Sequence, residues 1–311
     1  MGDRLNNIRV IDPVLTTIAL GYSNADAVGD FLAPYVPVAL ESGKIPSFGK
    51  EAFKLYNTTR AIRAASNRMN PEGIQMIPYA IEEHDLEYPI DYREDTESMF
   101  NMQKLGTRTL QGIFAVEREK QIADIAQAAA TYGDGNKVKL TGNDKWSDYT
   151  PGHSNPNVDV DAGREAVRAR TGKYPNVGVI GPTAFSKAKR HPEVLARFQF
   201  TGKITVTAAM LAELWEIDHL YVGKMVYADD ADVFHDIWAD NVVLGYVPQT
   251  SSTDRDVYEP SFAYTIRKKS LPQVDVRTEN GGKLILVRNT DCFAAKVLGA
   301  DAGYLIEDTN A

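Results

Sequence analysis

The sequence predicts an α+β chain, and three observations carry that prediction. A long helical pattern fills residues 95–132, helices and strands alternate from about 156 to 254, and the remainder is extended segments punctuated by proline and glycine. With 311 residues and 43% apolar content the chain can bury a sizeable core.

Residues 1–35 mix coil with one short helix. In "DPVLTTIALGY" Val14, Leu15, Ile18 and Ala19 have helical spacing, and Gly21 is placed to end it. From 36 to 90 the chain offers "VPVAL", "KIPSFG" and "IQMIPYAI" as extended pieces around a polar middle, "YNTTRAIRAASNRMN". This reads as a two-stranded arm, and such an arm is marginal in water unless another surface covers it.

Charge sharpens the arm. Lys44, Lys50, Lys54, Arg60, Arg63 and Arg68 face only Glu41 and Glu51 between residues 41 and 70. The sign then inverts: Glu82, Glu83, Asp85, Glu87, Asp91, Glu94, Asp95 and Glu97 stand against Arg93 alone, with His84 neutral. Each run taken singly reads as a solvated face, whereas together they read as complementary patches between copies.

The long pattern reads as one helix from Asp95 to Tyr132, stopped by "YGDGN" and spanning ~57 Å at ~1.5 Å per residue. Gly106 and Gly112 are places where it can bend. Met102, Leu105, Ile113 and Val116 project to one side, and Ile122, Ile125 and Ala129 nearly opposite. The apolar stripe therefore winds, so the two halves should meet different neighbours. Glu117 with Lys120, and Lys120 with Asp124, are spaced as surface pairs.

Beyond a turn-rich passage, "DVDAGREAVRARTG" reads as a helix, "NVGVIG" as a buried strand and "PTAFSKAKRHPEVLARF" as one further helix with Pro182 in its first turn. "TAAMLAELWEI", "HLYVGKMVYA" and "NVVLGYVP" continue the alternation. "EPSFAYTIRKK", "QVDVRTENGGKLILVRN" and "CFAAKVLGADAGYLIED" are strand-like, with Gly281-Gly282 as a hairpin turn.

Several functions find no footing. "GVIGPTAF" lacks the spacing and the lysine of a phosphate loop. Asp229, Asp230, Asp232, His235 and Asp236 in "DDADVFHD" lack the glycine and glutamate of a calcium loop and read as a solvated acidic turn. The five histidines show no zinc spacing; His191, before Pro192, reads as a surface residue or a local cap. Cys292 is the single cysteine and has no nucleophile signature. Trp146, Trp215 and Trp238 read as core or interface anchors. No catalytic, cofactor-binding or metal-binding residue is assigned. With 34 basic against 42 acidic side chains, net charge −8, the chain is no general nucleic-acid binder. No apolar run reaches the ~18–20 residues of a membrane span, and the first residues lack a signal-peptide pattern, so a soluble intracellular product is the expectation.

The order of coil, basic arm, very long helix, α/β unit and closing strands resembles the major capsid proteins of tailed bacteriophages, with the Hong Kong 97-like (Johnson) fold. "DPVLTTIALGYSNADAVGDFLAPYVPV", "GKIPSFGKEAF", "LEYPIDYRED", "REKQIADIA", "RHPEVLARF", "VYADDADVFHDIW" and "EPSFAYTIR" look like one coat subgroup, and the similarity spans nearly the whole chain. The resemblance implies an N-terminal arm at 1–35 and an extended hairpin, the E-loop, at 36–90. It further implies a peripheral domain from 91 to 155 with its spine helix at 95–132, an axial domain at 156–254 and return strands at 255–311.

It implies as well a non-enzymatic shell subunit that self-assembles into pentamers and hexamers of an icosahedral head. The shell would enclose double-stranded DNA held only by weak proximity, with scaffold, portal and decoration proteins as further partners. The expected location is the virion, assembled in the host bacterial cytoplasm. No charged helical prefix precedes the arm, so any scaffold should be a separate protein. Some relatives weld subunits through a lysine and an asparagine; Lys44, Lys50 and Lys54 lie in the arm, but no motif identifies a partner, and that chemistry is not carried over. An encapsulin-like compartment and a soluble α/β enzyme are the competing readings.

Overall fold

A computed structural model describes residues 13–20, 27–47, 58–63, 65–68, 75–99, 101–199, 205–249 and 261–310. The chain enters through helix α1 (Pro13–Leu20) and a single turn, α2 (Gly29–Leu32), before strand β1 (Tyr35–Val38). Strands β2 (Ser42–Ser47) and β3 (Gln75–Ala80) form a separate antiparallel ribbon, and β4 (Glu82–Asp91) follows. Among the described residues the ribbon pairs Ser42–Ser47 with Gln75–Ala80. β1 pairs in parallel with β11 (Ala263–Lys268), and β4 lies antiparallel along β13 (Leu284–Val297), so both ends of the 36–90 stretch belong to a body sheet.

That first sheet is built around β13. β4 covers one of its edges, while β12 (Gln273–Glu279) and then β11 share the other. The β12–β13 turn is the predicted one: Gly281 and Gly282 take φ of +67° and +88°, a region costly for any residue with a Cβ.

The single helix expected over 95–132 is two helices. α3 (Tyr92–Glu97) is closed by a capping box on Asp91, with Glu94 reaching back to the Asp91 backbone. α4 (Met102–Gln127) starts where Asn101, itself extended, accepts the Lys104 N–H at 2.9 Å. The helix ends at Ala128, which is extended, and so spans ~39 Å at ~1.5 Å per residue. Its buried stripe is Gly106, Thr107, Leu110, Gln111, Phe114, Ala115, Glu119, Ile122, Ala123 and Ala126. Leu105 and Ile113, expected to mark an inner side, are each 46% exposed. Sequence periodicity misplaced the face because polar side chains occupy part of the inward stripe. The two halves do meet different neighbours: Gly106 abuts Tyr88 of β4, whereas Ile122, Ala123 and Ala126 pack with the second sheet.

The second sheet runs β5 (Lys137–Lys139), β14 (Gly303–Glu307), β10 (Val242–Gly245), β6 (Val177–Ile180), β7 (His219–Val222). β5–β14 and β6–β7 are parallel; the other pairings are antiparallel, and β8 (Val226–Ala228) with β9 (Phe234–Asp236) forms a separate antiparallel ribbon. Alternation across β10 explains its unbroken apolar run. Val243 enters the core shared with α4, α2 and Trp238, while Val242 and Leu244 enter a second core on the opposite face. Helices α5 (Pro156–Thr171), α6 (Pro182–Ala188), α7 (Pro192–Phe198) and α8 (Ala208–Leu214) build that second core with Trp146 and Trp215.

α5 has its full set of end signals: Asn155 accepting the Asn157 N–H, Pro156 in the first turn, and Gly172 in the left-handed conformation after the last. Where one helix was expected across 182–198, Pro192 cannot donate to a continuing ladder, and His191 caps a new helix instead. β11, β12 and β13 join the first sheet, but β14 returns to the second.

Gly181 sits where a Cβ would come within 2.0 Å of the Ala239 carbonyl oxygen, a backbone atom with no rotamer to escape to. Gly181→Ala should therefore cost roughly 1–3 kcal/mol or more, read as a lower midpoint in urea. An unchanged midpoint would mean the 238–240 backbone is free to move.

Candidate assembly surfaces

The arm is rooted by Ile45 and Ile81, which bury against Ile266 and Cys292. Burial pushes the Cys292 thiol up to about 11, so it stays protonated and packs as a small apolar side chain. The Ile81 N–H donates to the Glu41 carbonyl, and Glu41 in turn pairs with Lys268 of β11. Further out, Arg60, Arg63 and Arg68 are exposed and Ile62 is 93% exposed. Lys44 is exposed on β2; Lys50 and Lys54 lie outside the described residues. A cationic tip carrying a bare isoleucine is poor surface chemistry for an isolated chain.

The acidic run divides into two groups. On β4, Glu87 pairs with Arg277 of β12 at 2.9 Å, and Asp85 lies 3.7 Å from Arg288 of β13. Asp91 and Glu94 are spent on the α3 capping box. Glu82, Glu83 and Glu97 are exposed and Asp95 is half-buried. His84 is not idle: it stacks on Phe293 and meets Glu117 of α4 at 3.0 Å. Of the two surface pairs expected here, Lys120 with Asp124 is present at 2.5 Å, whereas Glu117 meets His84 and not Lys120.

What fixes the entering chain to the helix was invisible in sequence. Glu119, 1% exposed, accepts the N–H groups of Val28 (3.1 Å) and Gly29 (2.8 Å) and the indole N–H of Trp238 (2.5 Å). Burial raises its pKa, and the three donors only partly offset that. Its neighbour Arg118 holds Asp30 with two bonds of 3.1 and 3.2 Å and lies over the Tyr35 ring. Arg267 lies over the same ring and grips Asp291. Within "AVEREK" the spacing singles out only Glu117 and Lys120, and only the fold reveals that Glu119 faces inward.

Asp229 accepts the Ala231 and Val233 N–H groups and meets His235 at 2.9 Å, which makes the acidic stretch a self-capped turn. Among the described residues no group of three His, Cys, Asp or Glu could hold a metal ion. The tryptophans are all buried, and each indole N–H has an acceptor: Asp159 for Trp146, Asn157 for Trp215, Glu119 for Trp238. Among the described residues no helix is long and apolar enough to cross a membrane. Exposed apolar side chains include Leu105 and Ile113 on α4 and Met99 just before it.

No protein-family model matches the chain. It is 48% identical over 308 residues to the major capsid protein of Burkholderia phage BcepMu, covering 99% of each chain. It is 28% identical over 219 residues to the major capsid protein of Pseudomonas phage JBD67, covering 69% of this chain and 68% of that one. Among solved structures it is similar to a phage-related protein of Bordetella bronchiseptica, with 34% identity, a TM-score of 0.82 and coverage of 97% and 98%. The capsid of Cyanophage P-SCSP1u shares the fold at 12% identity and a TM-score of 0.56, covering 92% of this chain and 89% of that one. The Hong Kong 97-like α+β architecture read from the order of elements is therefore the architecture of this chain, and the chain belongs to the family of phage major capsid proteins.

Proposed function

We propose that this chain is a non-enzymatic coat subunit that assembles into pentamers and hexamers of an icosahedral head around packaged double-stranded DNA. The full-length similarity to a major capsid protein carries the reading. The arm gives it a physical basis, because a cationic, apolar-tipped projection gains most by lying on a second copy. In this reading the stretch from 36 to 90 is the E-loop, α4 is the spine, the first sheet is the peripheral body and the second sheet carries the axial domain.

The receiving surface is the acidic run of a neighbour. Its exposed members Glu82, Glu83 and Glu97, with Asp95, meet Arg60, Arg63, Arg68 and Lys44, and Lys50 and Lys54 extend the same arm. Such complementarity sets register and encounter rate more than affinity. The net charge of −8 lets DNA pack inside without adhering. Scaffold, portal and decoration proteins are the further partners of such a shell, which forms in the bacterial cytoplasm and ends in the virion.

Electron microscopy of the purified, expressed protein tests this reading. Angular shells with resolved five- and six-fold capsomers support it; a small DNA-free shell loaded with protein would favour an encapsulin-like compartment instead. That second reading has one observation behind it, a shared fold with the encapsulin SrpI of Synechococcus elongatus at 12% identity and a TM-score of 0.51.

A further inference from the structure

Ser154 and His191 meet at 2.8 Å in a buried corner where the loop 147–155 lies against the turn between α6 and α7. The other ring nitrogen decides what this pair can do. His191 Nδ1 accepts the backbone N–H of Glu193 at 3.2 Å, the cap of α7, so the proton of the neutral ring sits on Nε2. Nε2–H donates to Ser154 Oγ, and the Ser154 hydroxyl donates to the Asp148 carbonyl at 2.6 Å. The imidazole turns no lone pair toward the hydroxyl, so this is not a nucleophile with its base. It is a one-way relay of donors from the first turn of α7 to the loop.

The relay exists only with a neutral ring. A proton on Nδ1 would face the Glu193 N–H, donor against donor, and the cap would be lost. His191 is 2% exposed, and burial lowers its affinity for a proton below the ordinary 6.5. The charged and titratable groups around it are few. Glu193 stands on α7 itself, and Tyr149 meets the ring edge-on. Asp148 turns its carboxylate away, to His153 at 2.7 Å and the Thr150 N–H at 2.9 Å. Those hydrogen bonds, His153 first, hold Asp148 down to about 2, so its charge is constant where the ring titrates.

We propose that His191 is an acid-released latch: the neutral ring ties the first turn of α7 to the 147–155 loop, and protonation at Nδ1 breaks the α7 end of that tie while the Nε2–H bond to Ser154 persists. The corner sets how α5 sits against α7. Asn157 of α5 donates to the Glu193 carbonyl at 3.3 Å and accepts from Trp215, and the two helices present exposed Val158 and Leu195. Release therefore loosens the α7 side of an outward apolar face. The inference does not depend on the coat reading. Because the folded ring binds its proton less readily than the unfolded one, the latch contributes fully above the ordinary 6.5 and is lost as pH falls through the lowered value.

Amide hydrogen exchange on the full chain tests it, corrected for intrinsic rates, from about pH 7.5 to about pH 5. The Glu193 amide, which donates to the His191 ring, and the Val194 amide, which donates to the His191 carbonyl in the same first turn, should lose about tenfold in protection, while the Leu244 amide in β10 keeps its own. His191→Asn, which can still cap α7 but does not titrate, should give a flat profile. Constant protection of Glu193 and Val194 in the parent, or the same loss in His191→Asn, overturns the latch. Should that variant fail to fold, the parent still decides through the NMR titration of the His191 ring: a ring that protonates while both amides stay protected sinks the proposal.

Discussion

Glu119→Ala is expected to destabilise the chain by about 3 kcal/mol or more, a large share of the ~5–15 kcal/mol that holds a domain together. The variant leaves the Val28 and Gly29 N–H groups and the Trp238 indole without their acceptor, in a core that water reaches poorly. It also opens a void beneath Val28 and Leu32, both members of the core that joins α4 to the second sheet. Removing a carboxylate whose burial is itself costly offsets part of this loss.

The pH dependence separates the two effects. Glu119 is raised above the ordinary 4.5, so its contribution is complete below that value and declines as pH rises through the raised one. The deficit of the alanine variant in urea unfolding should accordingly be larger on the acid side than at neutrality. A deficit below about 1 kcal/mol at both ends would mean the three donors find water instead.

Reversing Arg60, Arg63 and Arg68 together to glutamate should abolish or strongly impair assembly while the subunit still folds. All three are exposed, and surface substitutions of this kind shift stability by no more than about 0.5 kcal/mol each. The effect on association is different in kind, because under the proposed pairing three attractive contacts per subunit become repulsive and the encounter rate falls with them. Sedimentation of parent and variant at several salt concentrations reads assembly, and circular dichroism reads the fold. Raising salt should slow the parent and partly relieve the variant, since screening weakens attraction and repulsion alike. Equal assembly at every concentration would rule the cationic tip out of the interface. Restoration by lysine at Glu82 and Glu97 would place the acidic run opposite it.

Much of the fold was legible because it is written in short spacings. The caps around α5, the glycine pair of the β12–β13 turn and the buried strand "NVVLG" are decided by residues within one turn or one strand of each other. The breaks at Ser98–Asn101 and His191–Pro192 were legible in principle, since an asparagine cap and a proline mark them, but each sat inside a longer helical period that outweighed it. The candidate surface was partly legible: sign and position of the charge runs were plain, but not that Arg277 and Arg288 already answer Glu87 and Asp85.

By itself, then, the sequence determined the order of elements, the class of fold, the cationic arm and the lack of any catalytic signature. Tertiary structure alone decided that β4 and β13 share a sheet, that β5 and β14 pair across more than half the chain, and that Glu119 faces inward among donors. The physical reason is range. Propensity and capping act between residues a few positions apart, whereas strand partners and the environment of a charge are set by segments that meet only after the chain has closed on itself.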